Sequence, residues 1–72
     1  MRKAVPVEIM VNGESRTVPE GLTVADLVAQ LELQPKFLAV ERNLQLVPQA
    51  QHSSCRLEAG DRIEIVTLVG GG

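Results

Sequence analysis

Three sets of residues in this chain could do chemistry. The chain ends in Gly70-Gly71-Gly72, directly after the apolar run Ile63-Glu64-Ile65-Val66-Thr67-Leu68-Val69. This offers a bare carboxylate on an arm without side chains, able to enter a narrow active site of another protein. Taken alone, the tripeptide reads better as a frayed terminus, since chain ends are commonly poorly ordered. The second set is His52 and Cys55, the one histidine and the one cysteine. They could supply two metal ligands, but a structural zinc site needs four. A Cys-His dyad requires the fold to bring them together, which local spacing does not establish. The expectation is a small part-buried thiol and a solvated loop histidine. The third set, Glu41, Glu58, Asp61 and Glu64, has no spacing that pairs carboxylates for acid-base work. Gly60-Asp61 reads as a turn.

Composition narrows the function classes. Seventy-two residues make one small domain, expected over 1–72 with a flexible tail at 69–72. The 44% hydrophobic content is that of a folded domain, and Phe37 is the only aromatic residue, so the core must be aliphatic. Net charge is −2 and the seven basic residues are scattered along the chain. Nucleic-acid binding wants a basic stripe and stacking aromatics, and neither is present. A single cysteine excludes an internal disulfide and fits a reducing compartment. No stretch approaches the roughly 20 apolar residues that span a bilayer. The expectation is a soluble cytoplasmic protein with no membrane or nucleic-acid partner.

The elements that must position these residues follow from local patterns. Val5, Val7, Ile9 and Val11 alternate with Pro6, Glu8, Met10 and Asn12, the period of a half-buried strand. Asn12-Gly13 is a strong hairpin signal, because a type I′ turn needs positive φ at both central residues. Glu14 to Val18 is the return strand, ended by Pro19-Glu20-Gly21. Thr23 is placed to cap the backbone at Asp26, and Leu22 and Leu27 sit as a hydrophobic staple. Val24, Leu27, Val28 and Leu31 then form a helical apolar stripe, and the helix must end before Pro35. Phe37 to Arg42 reads as a strand with Leu38 and Val40 on one face. Asn43-Leu44 is a turn, Gln45 to Val47 a short strand stopped by Pro48, and Gln49 to Ser54 irregular or a single helical turn. Ala59-Gly60-Asp61 turns into a last strand, Arg62 to Leu68.

A hairpin, one amphipathic helix and two or three further strands make an α+β chain whose helix covers one face of a mixed four- to five-stranded sheet. That is the β-grasp arrangement, with the last strand central beside the first. With Ile63 and Ile65 inward, Val66 and Leu68 point outward beside the tail, and Met10 joins them if the strands pair. Such an outward apolar group reads as a docking face, although exposed aliphatics are also ordinary. Ordering each tail glycine costs on the order of 1–2 kcal/mol without side-chain burial in return. A functional tail therefore supplies chemistry, and the folded domain supplies affinity.

Asn12-Gly13, Leu38-Ala39-Val40-Glu41-Arg42-Asn43, Val47-Pro48, Gly60-Asp61 and Ile63-Glu64-Ile65-Val66 before the terminal glycines together resemble the ThiS family. These are sulfur carriers of thiamine biosynthesis, with a ubiquitin-like β-grasp fold. The resemblance runs from about Val7 to Gly72. It departs at Gln49, where many relatives carry a basic residue, and in residues 1–6. The proline-rich run that precedes the glycines of the molybdopterin sulfur carrier is absent.

The resemblance implies a reaction on the C-terminus itself. An α-carboxylate, with a reference pKa of about 3.3–3.7, is ionised at neutral pH and is a poor acyl donor. A ThiF-like adenylating enzyme would use ATP to activate Gly72, a sulfur donor protein would convert it to a thiocarboxylate, and a ThiG-like thiazole synthase would receive the sulfur. Gly70 and Gly71 would thread the partners' active sites. The chain itself would be a carried substrate with no catalytic residue, metal or stably bound cofactor. A ubiquitin-like modifier, a carrier for another pathway such as molybdopterin, and a binding module with an inert tail are the competing readings.

Overall fold

A computed structural model describes residues 5–68 of the chain. β1 (Pro6–Val11) and β2 (Glu14–Pro19) form a hairpin, α1 (Val24–Gln30) follows, and β3 (Leu38–Arg42), β4 (Gln45–Val47) and β5 (Arg62–Thr67) complete one sheet. The strand order is β2-β1-β5-β3-β4. β1 and β5 are parallel, and every other neighbouring pair is antiparallel. The last strand is central beside the first, the arrangement expected from the sequence.

Local rules explain most of the elements. Asn12 and Gly13 both have positive φ, 50° and 83°, so the β1–β2 connection twists with its strands. The β3–β4 hairpin uses the same device at Asn43 (φ 51°) and Leu44 (φ 71°). A leucine pays steric strain in that left-handed region, and Leu44 is also 84% exposed.

α1 has seven residues, too few to stand alone, and its start is fully capped. Thr23 Oγ1 accepts from the Asp26 N–H and Asp26 Oδ2 accepts from the Thr23 N–H, both at 3.1 Å. The Val24 and Ala25 N–H groups donate to the carbonyls of Cys55 and His52, each at 2.9 Å, and the Leu27 N–H donates to Thr23 O. All four orphan donors of the first turn are thus satisfied, two of them by the distant loop.

The helix stops earlier than Pro35 requires. Leu31 caps it and Glu32 adopts φ 59°. The Leu33 N–H donates to Val28 O and the Glu32 N–H to Ala29 O, the paired bonds of a Schellman ending. Glutamate at the left-handed position, where glycine is usual, hid this end from a sequence reading. A 3₁₀ turn over Pro35–Phe37 then leads into β3, which begins at Leu38.

Val24, Leu27 and Val28 pack on the sheet face formed by Ile9, Val11, Val18, Leu38, Val40, Val47, Ile63 and Ile65, with Leu57 closing the cluster. The core is entirely aliphatic, while Phe37 is 49% exposed. Leu57 is 1% exposed although it belongs to no strand or helix. Its N–H donates to Leu22 O at 2.7 Å, which draws the loop before β5 against the entry of the helix.

Candidate functional site

The end of β5 is held by one side chain. β1 turns away at Asn12, leaving the backbone of Ile65 without a strand partner on that side. Asn12 Oδ1 accepts from the Ile65 N–H at 2.8 Å, and Asn12 Nδ2 donates to Ile65 O at 3.3 Å. The amide thereby imitates one further residue of β1. On the other side β3 pairs Ala39 with Val66 and Leu38 with Thr67, and the Leu68 N–H donates to Phe37 O. The chain is fixed up to Leu68. Gly70, Gly71 and Gly72, to which the sequence reading assigned threading and sulfur attachment, lie outside the described residues, as does the rest of the segment 69–72.

Of the residues expected on a docking face, Val66 and Leu68 point outward, 58% and 53% exposed. Met10 is on the same face of the sheet, but it pairs with Arg62. That register sets it four residues before Val66, about 13 Å along a strand. β1 ends before reaching the level of Val66, so Met10 stands apart from the pair it was expected to join. Ala39 and Phe37, on the other side of β5, are the apolar neighbours of Val66 and Leu68.

The opposite end of β5 is held by a polar hub that sequence reasoning took for a simple turn. Asp61 is 6% exposed. Its carboxylate accepts from Arg42 Nε at 2.9 Å, Asn43 Nδ2 at 3.1 Å and the Glu58 N–H at 2.8 Å. Burial pushes the Asp61 carboxyl upward, but these three bonds and the Arg42 charge outweigh it and hold the group below its ordinary value of 3.8. Burial opposes the Arg42 charge too, yet Asp61 and Cys55 leave the guanidinium pKa raised. The Arg42–Glu58 contact at 3.8 Å, with Glu58 largely exposed, adds little.

His52 corrects another expectation. It is 5% exposed, not solvated, and its Nε2 lies 3.0 Å from Val47 O. The 3₁₀ turn over Gln49–Gln51 folds this segment back against the start of α1. Cys55 is part-buried, as expected, and its Sγ accepts from Arg42 Nη1 at 3.8 Å. The histidine and the thiol therefore have different partners. Among the described residues no group of three or more His, Cys, Asp or Glu gathers as metal ligands. No helix there is long and apolar enough to cross a membrane.

A central strand clasped at both ends, with an apolar outer edge where it runs out toward a glycine-ended sequence, defines a β-grasp domain of the ubiquitin-like kind. The ThiS family model matches residues 9–72, and the chain belongs to that family. It is 40% identical over 50 residues to the sulfur carrier protein ThiS of Bacillus subtilis, covering 69% of this chain and 76% of that protein. A crystal structure of the thiamine biosynthesis protein ThiS from Geobacter metallireducens superposes with a TM-score of 0.79 at 29% identity, over 92% of this chain and 100% of that one. A thiazole synthase of Paramagnetospirillum magneticum is 36% identical over 66 residues, 92% of this chain. The chain spans only 20% of the length of that protein.

Proposed function

We propose that this chain is a sulfur carrier whose Gly72 carboxylate is the site of carriage, serving formation of the thiamine thiazole ring. The observation that carries the reading is the family match, which extends through the terminal glycines to residue 72. In the first step a Gly72 carboxylate oxygen attacks the α-phosphorus of ATP in an adenylating partner, and pyrophosphate leaves. The resulting acyl-adenylate has the leaving group that a carboxylate lacks. A persulfide sulfur then attacks the acyl carbon and expels AMP, forming an acyl disulfide. A second thiol cleaves the S–S bond, so that a thiocarboxylate remains on Gly72 and the two thiols depart as a disulfide. A thiazole synthase is the acceptor of that sulfur.

The division of labour follows from the chemistry. Glycine lacks the Cβ that would crowd the attacked carbonyl, and Gly70 and Gly71 allow backbone angles that a tight channel demands. The catalytic groups belong to the partners. The folded domain contributes the outer edge at Val66 and Leu68 for docking, and the clasp on Ile65 fixes where the arm departs.

Intact-protein mass spectrometry after incubation with the adenylating enzyme, ATP and a sulfur source tests the reading. A mass gain equal to replacing one oxygen by sulfur, mapped to Gly72, is expected. With a partner that charges a known ThiS protein, an unchanged mass overturns it.

A further inference from the structure

Asn12 and Asn43 hold the same place in the two hairpins, at φ 50° and 51°. Each lays its side-chain amide against the β5 segment. Asn12 bonds both polar groups of the Ile65 backbone, at 2.8 and 3.3 Å. Asn43 bonds the Asp61 carboxylate at 3.1 Å and the Arg62 N–H at 2.9 Å. The residues that follow them differ. Gly13 is exposed, and no atom beyond its chain neighbours lies within 4 Å of where a side chain would begin. Its N–H donates to no carbonyl among the described residues. Leu44 instead carries a branched side chain that crowds its own backbone nitrogen. Asparagine is a chemically labile side chain, and its lability depends on access by that next nitrogen.

We propose that Asn12 is a site of spontaneous deamidation, that its bonds to Ile65 set the rate, and that the reaction unlatches the end of β5. The Gly13 nitrogen gives its proton to water or hydroxide and attacks Asn12 Cγ. A succinimide ring closes as the Cγ–Nδ2 bond breaks, and ammonia leaves. Water then opens the ring at one of its two carbonyls, giving aspartate or isoaspartate with no change of oxidation state. Ring closure requires the amide to swing from Ile65 back onto its own chain, so both bonds must open first. The bond that holds the departing nitrogen is the longer of the two, at 3.3 Å. Two hydrogen bonds of ordinary net strength hold the amide back about tenfold. The products undo the clasp. Aspartate keeps the bond from the Ile65 N–H but sets oxygen against oxygen at Ile65 O, and makes the net charge of −2 one unit more negative. Isoaspartate routes the main chain through the side-chain carbonyl, which adds an atom to the turn and ends its I′ geometry. Asn43 is spared by Leu44 and by its ties to the Asp61 hub. None of this depends on the sulfur-carrier reading.

The test ages the full chain in mildly alkaline buffer, folded and, in parallel, unfolded in guanidinium chloride. Peptide mapping by mass spectrometry follows replacement of the amide NH2 by OH at each asparagine and separates aspartate from isoaspartate. In the folded chain Asn12 should convert while Asn43 stays intact, about tenfold more slowly than Asn12 in the unfolded chain. No conversion at Asn12, or conversion of Asn43 as fast as Asn12, overturns the site. Equal rates for Asn12 in the folded and unfolded chain overturn control by the clasp. Hydrogen exchange on the isolated, modified chain then reads the unlatching. The Ile65 amide should exchange faster than in fresh protein, while the Glu58 amide, bonded to Asp61, keeps its rate. Unchanged exchange at Ile65, or equal acceleration at both amides, overturns the local release of β5.

Discussion

Asn12 has two duties at one position. Its backbone occupies the left-handed region at φ 50°, and its side-chain amide pairs with both polar groups of Ile65. Asn12→Gly keeps the turn and deletes the pairing. The expected cost is about 1–2 kcal/mol in chemical denaturation, with faster amide exchange at Ile65 as the specific signature. Asp61 gives a second residue-level prediction. Its folded pKa lies below the unfolded value near 3.8, so its contribution is complete above that value and disappears as pH falls through the folded one. Asp61→Asn should cost about 1–3 kcal/mol near neutrality by leaving buried donors without their carboxylate. The gap between wild type and variant should then narrow below pH 3.8 in an acid titration of stability. The turn at Asn12 was legible in sequence, but neither its pairing with Ile65 nor the Asp61 hub was. Arg42 and Asn43 lie 19 and 18 positions from Asp61, whereas a turn signal such as Gly60-Asp61 operates within a few residues.

At the scale of elements, short pieces depend on their ends. α1 has one complete capping box, and removing its hydroxyl leaves the Asp26 N–H unpaired. Thr23→Ala is expected to lower stability by about 0.5–2 kcal/mol in thermal or denaturant unfolding. The β3–β4 hairpin offers the opposite case. Leu44→Gly removes an exposed side chain from a residue at φ 71°, and should raise stability by about 1 kcal/mol. Start signals at Thr23 and Asp26 were legible because both partners fall within one helical turn. The helix stop was not, because Glu32 takes the place of the glycine that announces such an ending, and Pro35 was the only breaker on view. Leu57 escaped for a related reason. A single apolar residue in an irregular loop has no periodicity, and its burial depends on Leu22 across the fold.

For the whole molecule, the apolar alternation of β1 and β5 followed from pattern, since each strand carries its own inward face, and the order of hairpin, helix and strands led to the expectation that the last strand lies centrally beside the first. The exact composition of the outer face did not. Register decides that Val66 meets Ala39 while Met10 meets Arg62, and sequence alternation gives parity without giving register. The proposed carrier role makes a prediction at this scale. Extending the chain by one alanine after Gly72 leaves every described contact in place, so unfolding should be unchanged. Sulfur loading, followed by intact mass, should be abolished because the reacting carboxylate has moved onto a different residue. A chain still charged at Gly72 would refute the terminal-carboxylate chemistry.

The sheet order carries one more consequence. β1–β2 and β3–β4 are two hairpins that share no strand pairing, and β5 is the strand that joins them. It is also the last strand among the described residues. During synthesis the two hairpins emerge first and have no common sheet until β5 clears the ribosome and inserts between them. Closing the domain and bringing forward the glycines that follow β5 are then a single event. On the proposed carrier reading, a chain cut before β5 would lack the finished sheet, and an enzyme that recognises that sheet would leave it unactivated.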